Sequence, residues 1–168
     1  DIGWNELTTK LPKRSKAIIA LQGETVLQPF KHLRSGFYDE LLSSRVNTLK
    51  SMNEVIGKME RQDRPEVLIS MSGVGFYEPS RTVEYTENSE GGDDFLANLV
   101  RKWEAASKPP DGVRHVILRT GVVLGPGGGF IQSIYWPYFF GLGGPFGSGE
   151  LYLPWIHVND LGRVIWHA

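Results

Sequence analysis

The sequence predicts an α/β fold in which a doubly wound parallel sheet carries helices against its faces. Three observations lead there. Two apolar runs, Val67-Leu-Ile-Ser-Met-Ser-Gly-Val-Gly-Phe-Tyr77 and Leu118-Arg-Thr-Gly-Val-Val-Leu-Gly-Pro126, break off in small, polar and glycine residues. That is how buried parallel strands deliver their carboxyl ends to a ligand crevice. A long helix-period stripe precedes the first run, and the order along the chain is strand, helix, strand, helix, strand, half of a doubly wound sheet.

The elements follow in order. Lys16-Ala-Ile-Ile-Ala-Leu21 stops at Gln22-Gly23-Glu24 and reads as a first buried strand ending in a turn. Between Tyr38 and Met59, apolar Leu42, Val46, Leu49, Met52, Ile56 and Met59 recur at steps of three and four, the period of one buried helical stripe. Arg64-Pro65 ends that pattern, because the residue before proline is pushed out of the α region, and Val67 to Ser70 begins a second strand. Such a unit is right-handed by default. Asp93-Asp94 offers an N-cap to a helix with an inward stripe of Leu96, Leu99, Val100, Trp103 and Ala106, closed by Pro109-Pro110-Asp111-Gly112. His115 to Thr120 supplies the third strand. From Gly125 the character changes: residues 125–129 and 141–149 hold nine of the chain's twenty glycines, which predicts an irregular, ligand-facing segment. Asn159-Asp160 then caps a last helix over Leu161 to Ala168. The predicted organisation is residues 1–124 as the central part of a dinucleotide-binding domain and 125–168 as the start of a substrate-domain segment with a linking helix.

Composition narrows the function. Eighteen basic and nineteen acidic residues give a net charge of -1, so no global field draws in a nucleic-acid backbone or an anionic membrane. With no cysteine there is no disulfide framework or thiolate metal site, and no metal site is predicted. No stretch approaches the ~20 apolar residues that span a bilayer, and no leader is visible, so an intracellular setting, cytoplasmic or mitochondrial, is expected. The glycine-rich phosphate turn that opens a dinucleotide fold is not in these residues, and the chain reads as the middle of a larger domain.

Several segments resemble a known family at this point: Trp4-Asn-Glu-Leu7, Leu21-Gln-Gly-Glu24, Ser44-Arg45, Ser72-Gly-Val-Gly-Phe-Tyr77, Lys102-Trp-Glu-Ala-Ala106, Leu118-Arg-Thr-Gly-Val-Val-Leu124, Gly141-Leu-Gly-Gly-Pro-Phe-Gly-Ser-Gly149 and Trp155-Ile-His-Val158. In this order and at this spacing the chain is similar to atypical short-chain dehydrogenase/reductases of the epimerase type, including a bacterial group described as cell-division-inhibitor-like. The resemblance implies an incomplete Rossmann-like sheet, with a first β-α-β carrying a Gly-x-x-Gly-x-x-Gly turn upstream and the rest of a substrate domain downstream. It implies NADP(H), or else NAD(H), as cofactor, a small carbonyl or sugar-like substrate, and compatibility with a homodimer.

The residues supply the candidates. Gly23 ends the first strand without a Cβ to obstruct a flat ligand, and Leu21 and Glu24 flank it, Glu24 within reach of a ribose hydroxyl or simply solvated. Ser72 puts a hydroxyl at the carboxyl end of the second strand, suited to a developing alkoxide or to satisfying nearby backbone, and Tyr77 offers a phenol that could equally be packing. Arg119, in an otherwise apolar strand, is either a fork for phosphate or carboxylate or half of a buried ion pair, and Thr120-Gly121 beside it presents backbone to a cofactor amide. Arg45, preceded by Ser44, is a second such candidate. His157 either orients substrate or hydrogen-bonds backbone where the last helix begins, and the Gly143 to Gly149 loop faces substrate or covers cofactor.

The superfamily's proton donor, a tyrosine with a lysine four residues on, is missing. Counted back from Glu104, its positions fall on Leu96 and Val100, and neither transfers a proton. Lys102 lies ~200° round the helix from Val100 and points elsewhere. The expectation is an NADP(H)-binding oxidoreductase or epimerase-like protein, with a catalytically impaired dinucleotide-binding sensor or interaction protein as the rival.

Overall fold

The computed structural model describes residues 15–24, 26, 35–145 and 147–168. Among these residues five strands and four α-helices follow one another: β1 (Ala17–Ala20), α1 (Phe37–Lys58), β2 (Val67–Gly73), α2 (Phe95–Ala106), β3 (Arg114–Thr120), β4 (Val122–Leu124), α3 (Gly129–Phe139), β5 (Trp155–His157) and α4 (Val158–His167). The first three strands form one parallel sheet in the order β1-β2-β3, with Ala20 opposite Ser70 and Ser72 opposite Arg119. The parallel α/β architecture expected from the sequence is present, and all three strand ends reach the same edge of the sheet.

Helices α1 and α2 pack on one face. Leu49, Met52 and Ile56 of α1 meet Ala20 and Leu68, with Trp103 and Ala106 of α2 closing over them. A second cluster joins Phe37 and Leu41 to Leu99. Asn53 Nδ2 donates to the carbonyls of Ala106 and Lys108, fastening α1 to the end of α2. The Arg64 guanidinium donates to the carbonyls of Gly57 and Met59 and so satisfies the end of α1, which stops at Lys58 before the proline is reached.

Three sequence expectations change. The buried stripe of α1 runs Phe37, Leu41, Arg45, Leu49, Met52 and Ile56, so in its first half it lies one residue from the Leu42 and Val46 expected. A straight 3.6-residue stripe through Leu49 passes through Arg45, and the charge there diverts a reading based on apolar residues alone. The glycine-rich segment contains α3, an apolar helix with no buried residue and with Pro137 inside it. The glycines delimit this helix, and three of them, Gly127, Gly129 and Gly141, take positive φ at its two ends. Finally, α4 begins at Val158 rather than after Asn159-Asp160, because His157 is its cap: Nδ1 accepts from the Asn159 N–H at 3.2 Å. The strand before it, β5, pairs in parallel with β4 as a separate two-stranded sheet that the sequence did not reveal. No helix of the described residues is long and apolar enough to cross a membrane.

Candidate functional site

Where the sheet ends, a groove of about 520 Å³ opens between the turn after β1, the turn after β2, α2, the β3–β4 junction and α3. Gly23, Glu24, Arg45, Thr120 and Gly121 all line it, bringing together five of the residues singled out in the sequence. Its walls are mainly apolar, from Val74, Leu99, Val100, Trp103, Val123 and Phe130. Several of these went unrecognised, because Phe130 and Ser133 sit on the unforeseen helix and Trp103 reads as ordinary core. Leu96 lines this groove as well, so the two positions counted for the missing tyrosine–lysine pair, Leu96 and Val100, both border it. Lys102 points away, with Nζ 3.2 Å from the Tyr38 hydroxyl.

The turn after β1 is held from below by two neighbouring residues of α1. Ser44 Oγ accepts the Glu24 N–H at 3.1 Å, while Arg45 Nη2 donates to the Glu24 carbonyl at 2.8 Å. Arg45 is 6% exposed, donates also to the Leu41 carbonyl, and lies 4.9 Å from the centroid of the Trp103 ring. Burial lowers its pKa, with the charge of Glu24 opposing that shift. Gly23 has φ 154°, and a Cβ there would come within 3.0 Å of the Arg45 guanidinium. The glycine thus makes room for the arginine beneath the turn as well as for any ligand above it. Arg45 Nε is buried without a hydrogen-bond partner, a donor on a groove-lining residue left unsatisfied.

Ser72, Arg119 and Tyr77 are brought together elsewhere, on the helix-covered face of the sheet. Arg119 Nε and Nη2 grip both carboxylate oxygens of Glu104 at 2.7 and 2.8 Å, and Ser72 Oγ donates to Glu104 Oε1 at 2.6 Å. Arg119 Nη1 donates to the Tyr77 hydroxyl at 2.8 Å, and that hydroxyl donates to the Thr86 carbonyl at 3.0 Å. The guanidinium carbon lies 3.7 Å from the centroid of the Phe76 ring. Burial alone would raise the Glu104 pKa, but hydrogen bonds from Arg119 and Ser72 and the charge of Arg119 outweigh it and hold the carboxyl below its usual range. The hydrogen-bonded carboxylate also pushes the Arg119 pKa upward. Both alternatives for Arg119 bear on this arrangement: the fork is occupied, and its partner is a protein carboxylate. Glu104 is the hub, although in the sequence it served only as a landmark for the missing pair.

One turn further along, His115 Nε2 lies 2.8 Å from Ser70 Oγ and 3.1 Å from Ser107 Oγ. Ser107 Oγ donates to the Glu104 carbonyl, so towards the imidazole it acts as acceptor and assigns the proton to Nε2. Leu21 is 63% exposed beside the turn. Of the glycine-rich loop, Gly143 lies against the Tyr138 ring of α3 and the Tyr138 hydroxyl donates to the Gly144 carbonyl. A second chamber, about 580 Å³, adjoins the groove and shares Val74, Gly75 and Pro154 with it.

No family model matches the chain. Among curated proteins it is 45% identical to Epimerase family protein SDR39U1 of Bos taurus and 43% identical to that of Homo sapiens, each over 169 residues, 99% of this chain and 57% of the relative. It is 32% identical to Epimerase family protein SAR0825 of Staphylococcus aureus, covering 97% of this chain and 53% of that one. Among solved structures, the human epimerase family protein SDR39U1 (isoform2) with NADPH superposes with a TM-score of 0.88 at 43% identity, over 99% of this chain and 57% of that chain. The nucleoside-diphosphate sugar epimerase from Corynebacterium glutamicum superposes at 0.73 with 31% identity, over 100% and 33%. The chain therefore spans a little over half the length of the mammalian relatives it matches.

Proposed function

The chain belongs to the epimerase family of short-chain dehydrogenase/reductases, and from that premise we propose that it forms the nicotinamide-side half of an NADP(H) site in an oxidoreductase or epimerase-like protein. One observation carries the reading: Gly23, Glu24, Arg45, Thr120 and Gly121 line a single groove at the carboxyl ends of β1 and β3, the position where open parallel sheets take their ligands. A human relative similar over nearly the whole of this chain is a complex with NADPH.

The residues fit the flat end of such a cofactor. Apolar walls from Val100, Trp103, Val123 and Phe130 would exclude water around a planar ring. The diphosphate is another matter. Arg45 is the cation among the described residues lining the groove, and its terminal nitrogens are spent on backbone carbonyls. The phosphates accordingly call for the glycine-rich turn expected upstream. When bound, the nicotinamide supplies a hydride acceptor or donor at its C4. Thr120, whose hydroxyl donates to the Ser72 carbonyl at 3.3 Å, fixes the strand end that lines the groove. Ser72 and Tyr77 are proposed as positioning residues, since each hydroxyl proton is already donated, to Glu104 and to Thr86.

A second reading is favoured by a specific observation. Leu96 and Val100 stand in the groove where the superfamily's proton donor and its lysine would be, so a sensor or interaction protein could retain the cofactor without the acid–base step. Titration of the full-length protein with NADPH, followed by fluorescence, tests the shared premise, and turnover against a panel of carbonyl compounds separates the two. Tight binding with turnover supports the oxidoreductase, and tight binding with none supports the sensor. Absence of both NADPH and NADH binding ends either reading.

A further inference from the structure

Resting on the proposed NADP(H) site, we infer that the adjoining chamber receives an uncharged carbonyl compound with a flat, apolar body, and that it disfavours nucleoside diphosphate sugars. The chamber opens directly onto the groove through Val74, Gly75 and Pro154, so a molecule in it lies next to whatever occupies the groove. Its volume of about 580 Å³ suits a small organic ligand.

Its surface is aromatic. Tyr77 and Tyr85 stack with centroids 5.0 Å apart and planes 20° from parallel, and with Tyr152 and Leu151 they line the chamber. Tyr77 brings its ring and not its acidity to this wall, because its hydroxyl is held between Arg119 and the Thr86 carbonyl.

The charges of the lining are the discriminating feature. A diphosphate needs cationic forks or a nest of amides. Arg81 is the cation among the described residues lining this chamber, and it is paired with Glu150 at 3.0 Å; Glu78 adds a second carboxylate. From the segment 78–94, Glu78, Pro79, Ser80, Arg81 and Tyr85 reach this lining, so with Glu150 it carries two carboxylates against one cation. The nearby Arg119 is engaged by Glu104 through Nε and Nη2 and by the Tyr77 hydroxyl and the Glu87 carbonyl through Nη1. A ligand with two phosphate charges therefore meets like charge at the rim, whereas an uncharged ligand loses nothing by entering. This separates the chain's chamber from the chemistry named for its Corynebacterium glutamicum neighbour, a nucleoside-diphosphate sugar epimerase.

The test uses the full-length protein saturated with NADPH, with ligand binding read by saturation-transfer NMR and calorimetry rather than by turnover. Two probes are compared: 2-naphthaldehyde, flat and uncharged, and UDP-glucose. The expected result is that 2-naphthaldehyde binds at least about tenfold tighter than UDP-glucose and that Tyr85→Ser weakens it by about tenfold. A gain-of-binding variant guards against misfolding: Glu78→Lys with Glu150→Gln, which frees Arg81 and adds a second cation, is expected to tighten UDP-glucose by about tenfold. UDP-glucose binding as tightly as the aldehyde in the unaltered protein, or unchanged UDP-glucose affinity in the double variant, overturns the inference. If NADPH binds and neither probe does, the chamber inference falls alone; if NADPH itself does not bind, the underlying reading falls with it.

Discussion

Removing one member of the Glu104–Arg119 pair leaves the other with its charge largely shut off from water, since the two side chains are 12% and 21% exposed. Arg119→Met is expected to destabilise the fold by about 3 kcal/mol, at the lower edge of the range for broken buried pairs because both groups keep some solvent contact. Urea denaturation should show this as a lower midpoint at unchanged slope. Glu104→Gln combined with Arg119→Met should cost clearly less than the two single changes added together, because no orphaned charge remains. Additive costs would mean that the carboxylate and guanidinium do not interact in solution. Arg45 makes a contrasting case. Its terminal nitrogens hold the Leu41 and Glu24 carbonyls, so Arg45→Met should release the turn at Gly23–Glu24 and weaken NADPH about tenfold, or ~1.4 kcal/mol. Ser44→Ala, which removes the acceptor for the Glu24 N–H but leaves Arg45 on the Glu24 and Leu41 carbonyls, should weaken it by less.

At the scale of elements, α2 begins where Asp94 Oδ1 accepts the Ala97 N–H at 2.8 Å, and Asp94→Ala is expected to cost about 1 kcal/mol, read as a fall in thermal midpoint of roughly 2–4 °C. This cap was legible because an acidic residue before an apolar stripe has one obvious structural use. So were β1, β2 and β3: short, mainly apolar runs that break off in polar residues and glycine have few other solutions in a chain of this length. Helix α3 was not legible, since its composition matches neither an amphipathic helix nor a loop. Its apolar residues fall all round the axis, Pro137 sits inside it, and Trp136, Phe139 and Phe140 are exposed by more than half. The pairing of β4 with β5 was also hidden, because two three-residue strands separated by thirty positions carry no period long enough to recognise. For the candidate site, the groove-lining set around Gly23 and Thr120 could be read from strand ends. The direction in which Ser72 and Arg119 project depends on the register Ser72↔Arg119 and on Glu104 arriving from α2, and neither is written locally in the sequence.

Taken over the whole molecule, the polar groups between sheet and helices form one continuous strip, from Ser70, His115 and Ser107 to Glu104, Ser72, Arg119 and Tyr77. It joins β2, β3, α2 and the segment leading to Thr86, so its titration acts on the stability of the fold as a unit. Burial lowers the His115 pKa, and the charge of Glu104 opposes that shift without cancelling it. As pH falls through the ordinary histidine value near 6.5, the unfolded chain takes up a proton that the folded protein still refuses, so stability declines from about that pH until the folded-state pKa is passed. Glu104 has the same sign at lower pH. Its folded pKa is depressed, so the stabilisation present above the ordinary carboxylate value of about 4.3 is lost as pH drops below it. Chemical denaturation at a series of pH values should therefore show two successive losses of stability on acidification. His115→Gln should flatten the upper one and leave the lower, while Glu104→Gln should remove its own contribution to the lower one at the cost of a less stable protein at neutral pH. A wild-type profile flat from pH 7 to pH 5 would show that the imidazole is not held neutral between Ser70 and Ser107.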